Sequence, residues 1–117
     1  MTDTLARSVT EAQLQHTVVT MAEYLGYECW HDNDSRRNKA GLPDLLCVKP
    51  ASETDGTPGA VYWFELKTMR GRLRPAQRYW IDLLRGAGEQ VYVVRPSDVD
   101  AVERLLRGEI ETLEDAR

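Results

Sequence analysis

The sequence predicts an α/β domain, a mixed sheet flanked by helices, and three observations lead there. Short β-branched and aromatic runs, Val61–Leu66 and Val91–Val94 above all, alternate with segments whose apolar residues recur at helical spacing. A helical segment separates the last two strands, and a strand–helix–strand order implies a parallel crossover. A turn-rich link joins the two middle strands, and an antiparallel pair is its simplest reading. A chain of 117 residues suffices for one domain, residues 1–117, with a single core.

Residues 1–8 read as frayed. A helix is predicted from Ser8–Thr10 to about Leu25, with Leu14, Val18, Met21, Ala22 and Leu25 on its core side and Gly26 ending it. Ser8-Val9-Thr10-Glu11 fits the S-x-x-E capping box, so spacing alone makes Glu11 a cap residue. Tyr27–Trp30 reads as a short strand. His31–Ala40 is a polar loop carrying His31, Asp32, Asp34 and the basic run Arg36-Arg37-Asn38-Lys39. His31 and Asp32 have metal-ligand chemistry, but nothing in the spacing joins them to the acids discussed below.

Pro43 lacks a backbone N–H and suits the start of a strand, Leu45–Val48, which leaves Asp44 at the sheet's edge with a fixed direction. Lys49–Ala60, with Pro50, Gly56, Pro58 and Gly59, is the link to the central strand Val61–Lys67. Pro75 opens the next helix, which runs to about Arg85 with Trp80, Leu83 and Leu84 on its apolar side. Gln90–Arg95 is the last strand. Ser97 is the expected N-cap of a closing helix whose Val99, Val102, Leu105 and Leu106 face the core. Glu109–Arg117 reads as a flexible acidic tail.

The formal net charge of −4 argues at first against a nucleic-acid partner. Its distribution reverses that argument. From Asp98 onward there are seven acids against three arginines, so residues 1–97 are neutral. Within them, residues 36–39 and Lys67–Arg78 are locally basic, and the second segment holds no acid. A phosphate-binding face has this asymmetry, although a solvated loop accounts for any one of these arginines. No apolar run reaches the roughly 18 residues of a membrane span, and the N-terminus lacks a signal-peptide pattern. Cys29 and Cys47 form no CxxC and read as small core hydrophobes in a reducing cytoplasm, with a disulfide between them as the alternative.

The chemistry concentrates on Glu65 and Lys67. Side chains alternate along a strand, so these two share a face while Phe64 and Leu66 share the other. Charges on so apolar a strand need a reason. Asp44, 21 positions earlier, supplies a second carboxylate. Two carboxylates on one sheet face can hold a hard divalent cation, Mg²⁺ or Mn²⁺, with water and substrate oxygens completing the shell. Lys67 beside it can hold or help deprotonate an attacking water and offset charge on phosphorus-bound oxygens. Glu-x-Lys alone is common and equally describes an ion pair on an exposed strand. Pro-Asp is common in turns as well. The combination is what carries specificity.

Gly41-Leu42-Pro43-Asp44, Trp63-Phe64-Glu65-Leu66-Lys67, Leu73-Arg74-Pro75-Ala76-Gln77 and Gly88-Glu89-Gln90-Val91-Tyr92-Val93-Val94 together resemble the VRR-NUC family, a branch of the PD-(D/E)xK nucleases. The resemblance spans roughly Thr10 to Leu106. It implies a restriction-endonuclease-like fold and metal-dependent phosphodiester hydrolysis. It makes Asp44 and Glu65 the metal-binding acids, with the Leu66 backbone carbonyl, and Lys67 the catalytic lysine. It also makes Glu11 a further active-site and metal-binding acid, against the capping reading, and gives Gln77 an active-site role. Small members of the family, from bacteria and phages, are homodimers that cut four-way DNA junctions. The expectation is therefore a Holliday-junction-resolving endonuclease using Mg²⁺ or Mn²⁺, with Arg36, Arg37, Lys39, Arg70, Arg72, Arg74 and Arg78 gripping DNA phosphates. A twofold dimer would supply the two symmetric nicks a junction needs. The alternatives are a flap endonuclease or nickase, acting as a monomer or in a larger complex, and a non-catalytic DNA-binding module on the same fold.

Overall fold

Four strands form one sheet in chain order: β1 (Glu28–His31), β2 (Leu45–Lys49), β3 (Ala60–Leu66) and β4 (Gln90–Val94). The first three are antiparallel neighbours, and β3 and β4 run parallel across the intervening helix, as the strand–helix–strand order requires. The computed structural model describes residues 3–31 and 40–114. Among the described residues five helical elements accompany the sheet: α1 (Asp3–Ser8), α2 (Glu11–Tyr24), α3 (Pro75–Gly86), a 3₁₀ turn at Pro96–Asp98, and α4 (Val99–Leu106).

The period of two along the strands divides the side chains between two layers. Leu45, Cys47, Tyr62, Phe64, Leu66, Tyr92 and Val94 pack on one face against Leu14, Val18 and Ala22 of α2 and Val102, Leu105 and Leu106 of α4. Phe64 is wholly buried there, a burial worth about 2–3 kcal/mol. On the other face Val91 and Val93 pack against Ile81 of α3, with Trp63, Leu73 and Leu84 around them. Glu65 belongs to this second face, opposite the main core.

Several boundaries differ from the sequence reading. Residues 3–8 are helical, because Ala6 is buried and α1 packs on the 3₁₀ turn. The α2 cap is Thr10, whose Oγ1 accepts from Gln13 N at 3.1 Å while Gln13 Oε1 accepts from Thr10 N at 2.9 Å. Two capping boxes overlap in the sequence; the helix starts at Glu11 and so uses the second, while the Ser8 hydroxyl donates to Leu5 O. Glu11 is therefore no cap. In α3 the buried residue is Ile81, and Leu83 is 47 % exposed, so the apolar stripe is rotated from the predicted one. Ser97 is not the final N-cap: the 3₁₀ turn shifts α4 onward, and Asp98 Oδ2 accepts from Arg95 N at 2.8 Å. Ile110 and Leu113 pack on the main core, so the acidic segment is anchored at two points before Glu114. Cys29 and Cys47 are direct cross-strand partners, with free thiols whose sulfurs lie 3.5 Å apart.

Candidate active site

Asp44 reaches the second face because β2 begins one residue after it. Leu45 pairs with Phe64, so the ladder has ended where Leu66 turns its N–H toward β2. Asp44 Oδ2 takes that N–H at 2.9 Å, which supplies the missing acceptor and fixes the carboxylate. Buried Pro43 stiffens the approach. Gly41 completes the turn with φ +90°, and a Cβ there would overlap the Ala76 carbonyl in the first turn of α3. Gly41→Ala should therefore push the turn off α3 and destabilise the protein by about 2–4 kcal/mol, read as a lowered urea midpoint.

Glu65 is 1 % exposed and lies beside Asp44 on this face. Gln77 Nε2 donates to its Oε1 at 2.8 Å, and Lys67 Nζ stands 4.0 Å from the same oxygen. Its Oε2 is buried without a hydrogen-bond partner among the described residues. Burial pushes the Glu65 carboxyl up to about 8; the neighbouring Asp44 carboxylate adds to this, the Lys67 ammonium works against it, and the charge of Glu11 raises it further. Two acids and one ammonium leave an excess negative charge in a nearly dry site. At neutral pH a proton on Glu65 satisfies it, and so would a cation.

The donor set fits a hard divalent ion. Asp44 and Glu65 offer carboxylate oxygens, Glu65 Oε2 is otherwise orphaned, and Leu66 lies between Glu65 and Lys67 in the chain with its N–H already holding Asp44. Among the described residues no three His, Cys, Asp or Glu side chains gather tightly enough to hold an ion on their own. Glu11 is exposed at the first position of α2 and bears on Glu65 through its charge.

Gln77 does two jobs. Its Oε1 accepts from Arg74 N at 2.8 Å at the start of α3, which leaves the amide nitrogen to face Glu65. The helix cap thus sets the amide's orientation, and the amide sets the carboxylate's. Gln77→Leu should weaken Mn²⁺ binding about 10- to 100-fold, measured by calorimetric titration, the usual cost of losing a group that orients a ligand.

The basic residues separate into groups. Arg70, Arg72 and Arg74 are exposed, and Arg78 is half-buried on α3. Arg36, Arg37 and Lys39, with Asp32 and Asp34, lie outside the described residues. His31 ends β1 opposite Leu45, its Nδ1 buried and unpartnered among the described residues. One residue had no signal in the sequence: Arg95, at the end of β4, donates to the carbonyls of the loop after Lys67. That contact spans more than 20 positions, and no local pattern encodes it.

Residues 6–98 match the VRR-NUC domain family. A solved structure described as a VRR-NUC domain is similar to this chain with a TM-score of 0.63 and 23 % sequence identity, covering 86 % of this chain and 97 % of that one. No curated protein matches.

Proposed function

This chain belongs to the VRR-NUC family, and from that premise we propose that it is a homodimeric endodeoxyribonuclease that resolves four-way DNA junctions with Mg²⁺ or Mn²⁺. The family makes it a nuclease of the PD-(D/E)xK type, a phosphodiester hydrolase. The observation that supports metal dependence is the pair of carboxyl groups on the second face, one of them with a buried, unpartnered oxygen among the described residues. Asp44 and a carboxyl raised to about 8 at Glu65 lie beside a nearly buried lysine.

Each residue then has a role. Asp44 and Glu65 would hold the cation, whose chemistry is Lewis-acid activation of water and of the scissile phosphate. Gln77 keeps Glu65 aimed at that position. Lys67, on the same face, stabilises negative charge developing on the phosphate oxygens and orients the attacking water. Glu11 borders the site as an outer acid. The exposed arginines of the loop after Lys67 bind backbone phosphates, which favours recognition of DNA shape over sequence.

The second sheet face supports the dimer. Register places Trp30, Leu46, Val48, Val61 and Trp63 on one side, and α3 packs over the β3–β4 half of it. Trp30 is 43 % exposed, with Val48 and Val61 close behind. An apolar surface of this kind on a small domain fits a subunit interface. We place the protein in the cytoplasm of a bacterium or a phage-infected cell.

Synthetic four-way, flap and linear DNAs, incubated with and without Mn²⁺, test the proposal, with sedimentation velocity run alongside. Paired symmetric incisions of the junction by a dimer are expected. Single incisions of a flap by a monomer would replace the resolvase reading with the flap-nuclease one. Junction binding without any cutting would make the chain a binding module.

A further inference from the structure

Arg95 lies outside the catalytic face, yet it organises the segment that leads away from it. Its Nη1 donates to the carbonyls of Thr68 at 2.6 Å and Gly71 at 2.7 Å, with Met69 O at 3.5 Å. Its backbone is held in turn by Asp98. Carbonyl oxygens are neutral, so these bonds fold the loop without cancelling the guanidinium's charge. Arg95 thus shapes the loop and leaves a positive charge in its wall.

The loop encloses a cleft of about 570 Å³. Arg70, Arg72, Arg78, Arg95 and Ser97 line it, and among the described residues no carboxylate does. Among the described residues none of these four arginines forms an ion pair. Four like charges around one cleft repel each other, a cost that an anion in the cleft removes. Arg74, in the same basic run, does not line it and instead starts α3.

The cleft adjoins the Lys67 side chain through Gly71. Gly71 lines it, and a Cβ on Gly71 would stand 3.4 Å from Lys67 Cδ and 3.0 Å from Thr68 Oγ1. The lysine stem and the cleft therefore share a wall. A phosphate held by the arginines would therefore lie on the Lys67 side of the catalytic face.

We propose that this cleft is a phosphate subsite that takes a backbone phosphodiester flanking the scissile one, with Arg70, Arg72 and Arg78 as its binding residues and Arg95 as the positioning residue. The proposal rests on the nuclease reading above. The chemistry it recognises, a phosphate dianion or diester among guanidiniums, is shared with free polyphosphates, and the test separates the two.

Binding of a fluorescein-labelled DNA duplex is measured by anisotropy in EDTA across a salt series, so that no cleavage is needed. Inorganic pyrophosphate is titrated by calorimetry in the same buffer. Variants are Arg78→Ala, Arg95→Ala and Arg95→Lys, with Arg107→Ala on α4 as the control and a melting curve for each. Arg78→Ala should weaken duplex binding about 5- to 10-fold and reduce the log–log salt slope by about one. Arg95→Ala should weaken it at least as much, and Arg95→Lys should recover the slope. In cleavage assays Arg78→Ala should raise KM with kcat within about twofold of wild type, the sign of lost substrate binding. If Arg95→Ala fails to fold, Arg78→Ala carries the test.

Wild-type affinity and slope in both alanine variants would overturn the proposal. Pyrophosphate binding lost in Arg78→Ala with duplex binding unchanged would also overturn it, in favour of a free polyphosphate. A wild type that cuts no DNA, but whose duplex binding depends on Arg78 and Arg95, would sink the nuclease reading and overturn the flanking-phosphate assignment, leaving the cleft only as a site for a backbone phosphodiester.

Discussion

Lys67→Ala is expected to reduce DNA cleavage by roughly a thousandfold while leaving junction binding within a few-fold of wild type. Lys67 is 7 % exposed, and its ammonium is 4.0 Å from Glu65 Oε1, on the same face as Asp44. A charge in so dry a position acts on a developing phosphate charge far more strongly than one in water. On the proposed reading, gripping DNA would fall to the exposed arginines and not to Lys67. Lys67→Met, which keeps the stem, separates loss of charge from loss of packing and should be as inactive as the alanine variant. Rapid-quench cleavage and anisotropy on one junction give both readings. Equal cutting by wild type and Lys67→Met in Mn²⁺ would remove the lysine from the mechanism.

The second large effect is a pH dependence that metal should abolish. The Glu65 carboxyl is raised from 4.5 in the unfolded chain to about 8 in the folded one. The folded chain therefore keeps a proton that the unfolded chain gives up. Stability from this group is fully present below 4.5 and is lost as the pH rises through about 8. The metal-free protein should accordingly melt at lower temperature at about pH 9 than at about pH 5, with a loss on the order of a few kcal/mol. Glu65→Gln should flatten that part of the profile. Mn²⁺ replaces the proton, so at about a hundred times its Kd it should stabilise by about 2.7 kcal/mol, a shift of several degrees. Asp44→Asn should lose that shift. Melting curves across pH, with and without Mn²⁺, read all four expectations. A flat wild-type profile would mean that Glu65 is ionised in the free protein.

Much of this was legible in the residues. Period-two alternation put Glu65 and Lys67 on one face, and Pro43 marked where β2 starts. Pro75 marked the start of α3, and the crossover to Val91–Val94 followed from element order. Pairing then brought Asp44 to the same face across 21 positions of chain.

What escaped the sequence was side-chain commitment at long range. Two overlapping capping boxes are indistinguishable in one dimension, and the fold uses the one at Thr10. Gln77 has an unremarkable position at the edge of α3's buried face, and its link to Glu65 depends on how the helix sits on the sheet. Arg95 reads as one more basic residue at a strand end until the loop carbonyls fold around it. Local patterns specify elements; contacts between elements decide which polar groups work together.

The account rests on a cation shared by Asp44 and Glu65 beside Lys67. An anomalous difference map from a crystal of the wild-type protein soaked in Mn²⁺ tests that directly. A peak between the two carboxylates, adjacent to the Lys67 side chain, is the expected result. A map with manganese bound elsewhere, and none between Asp44 and Glu65, would contradict it.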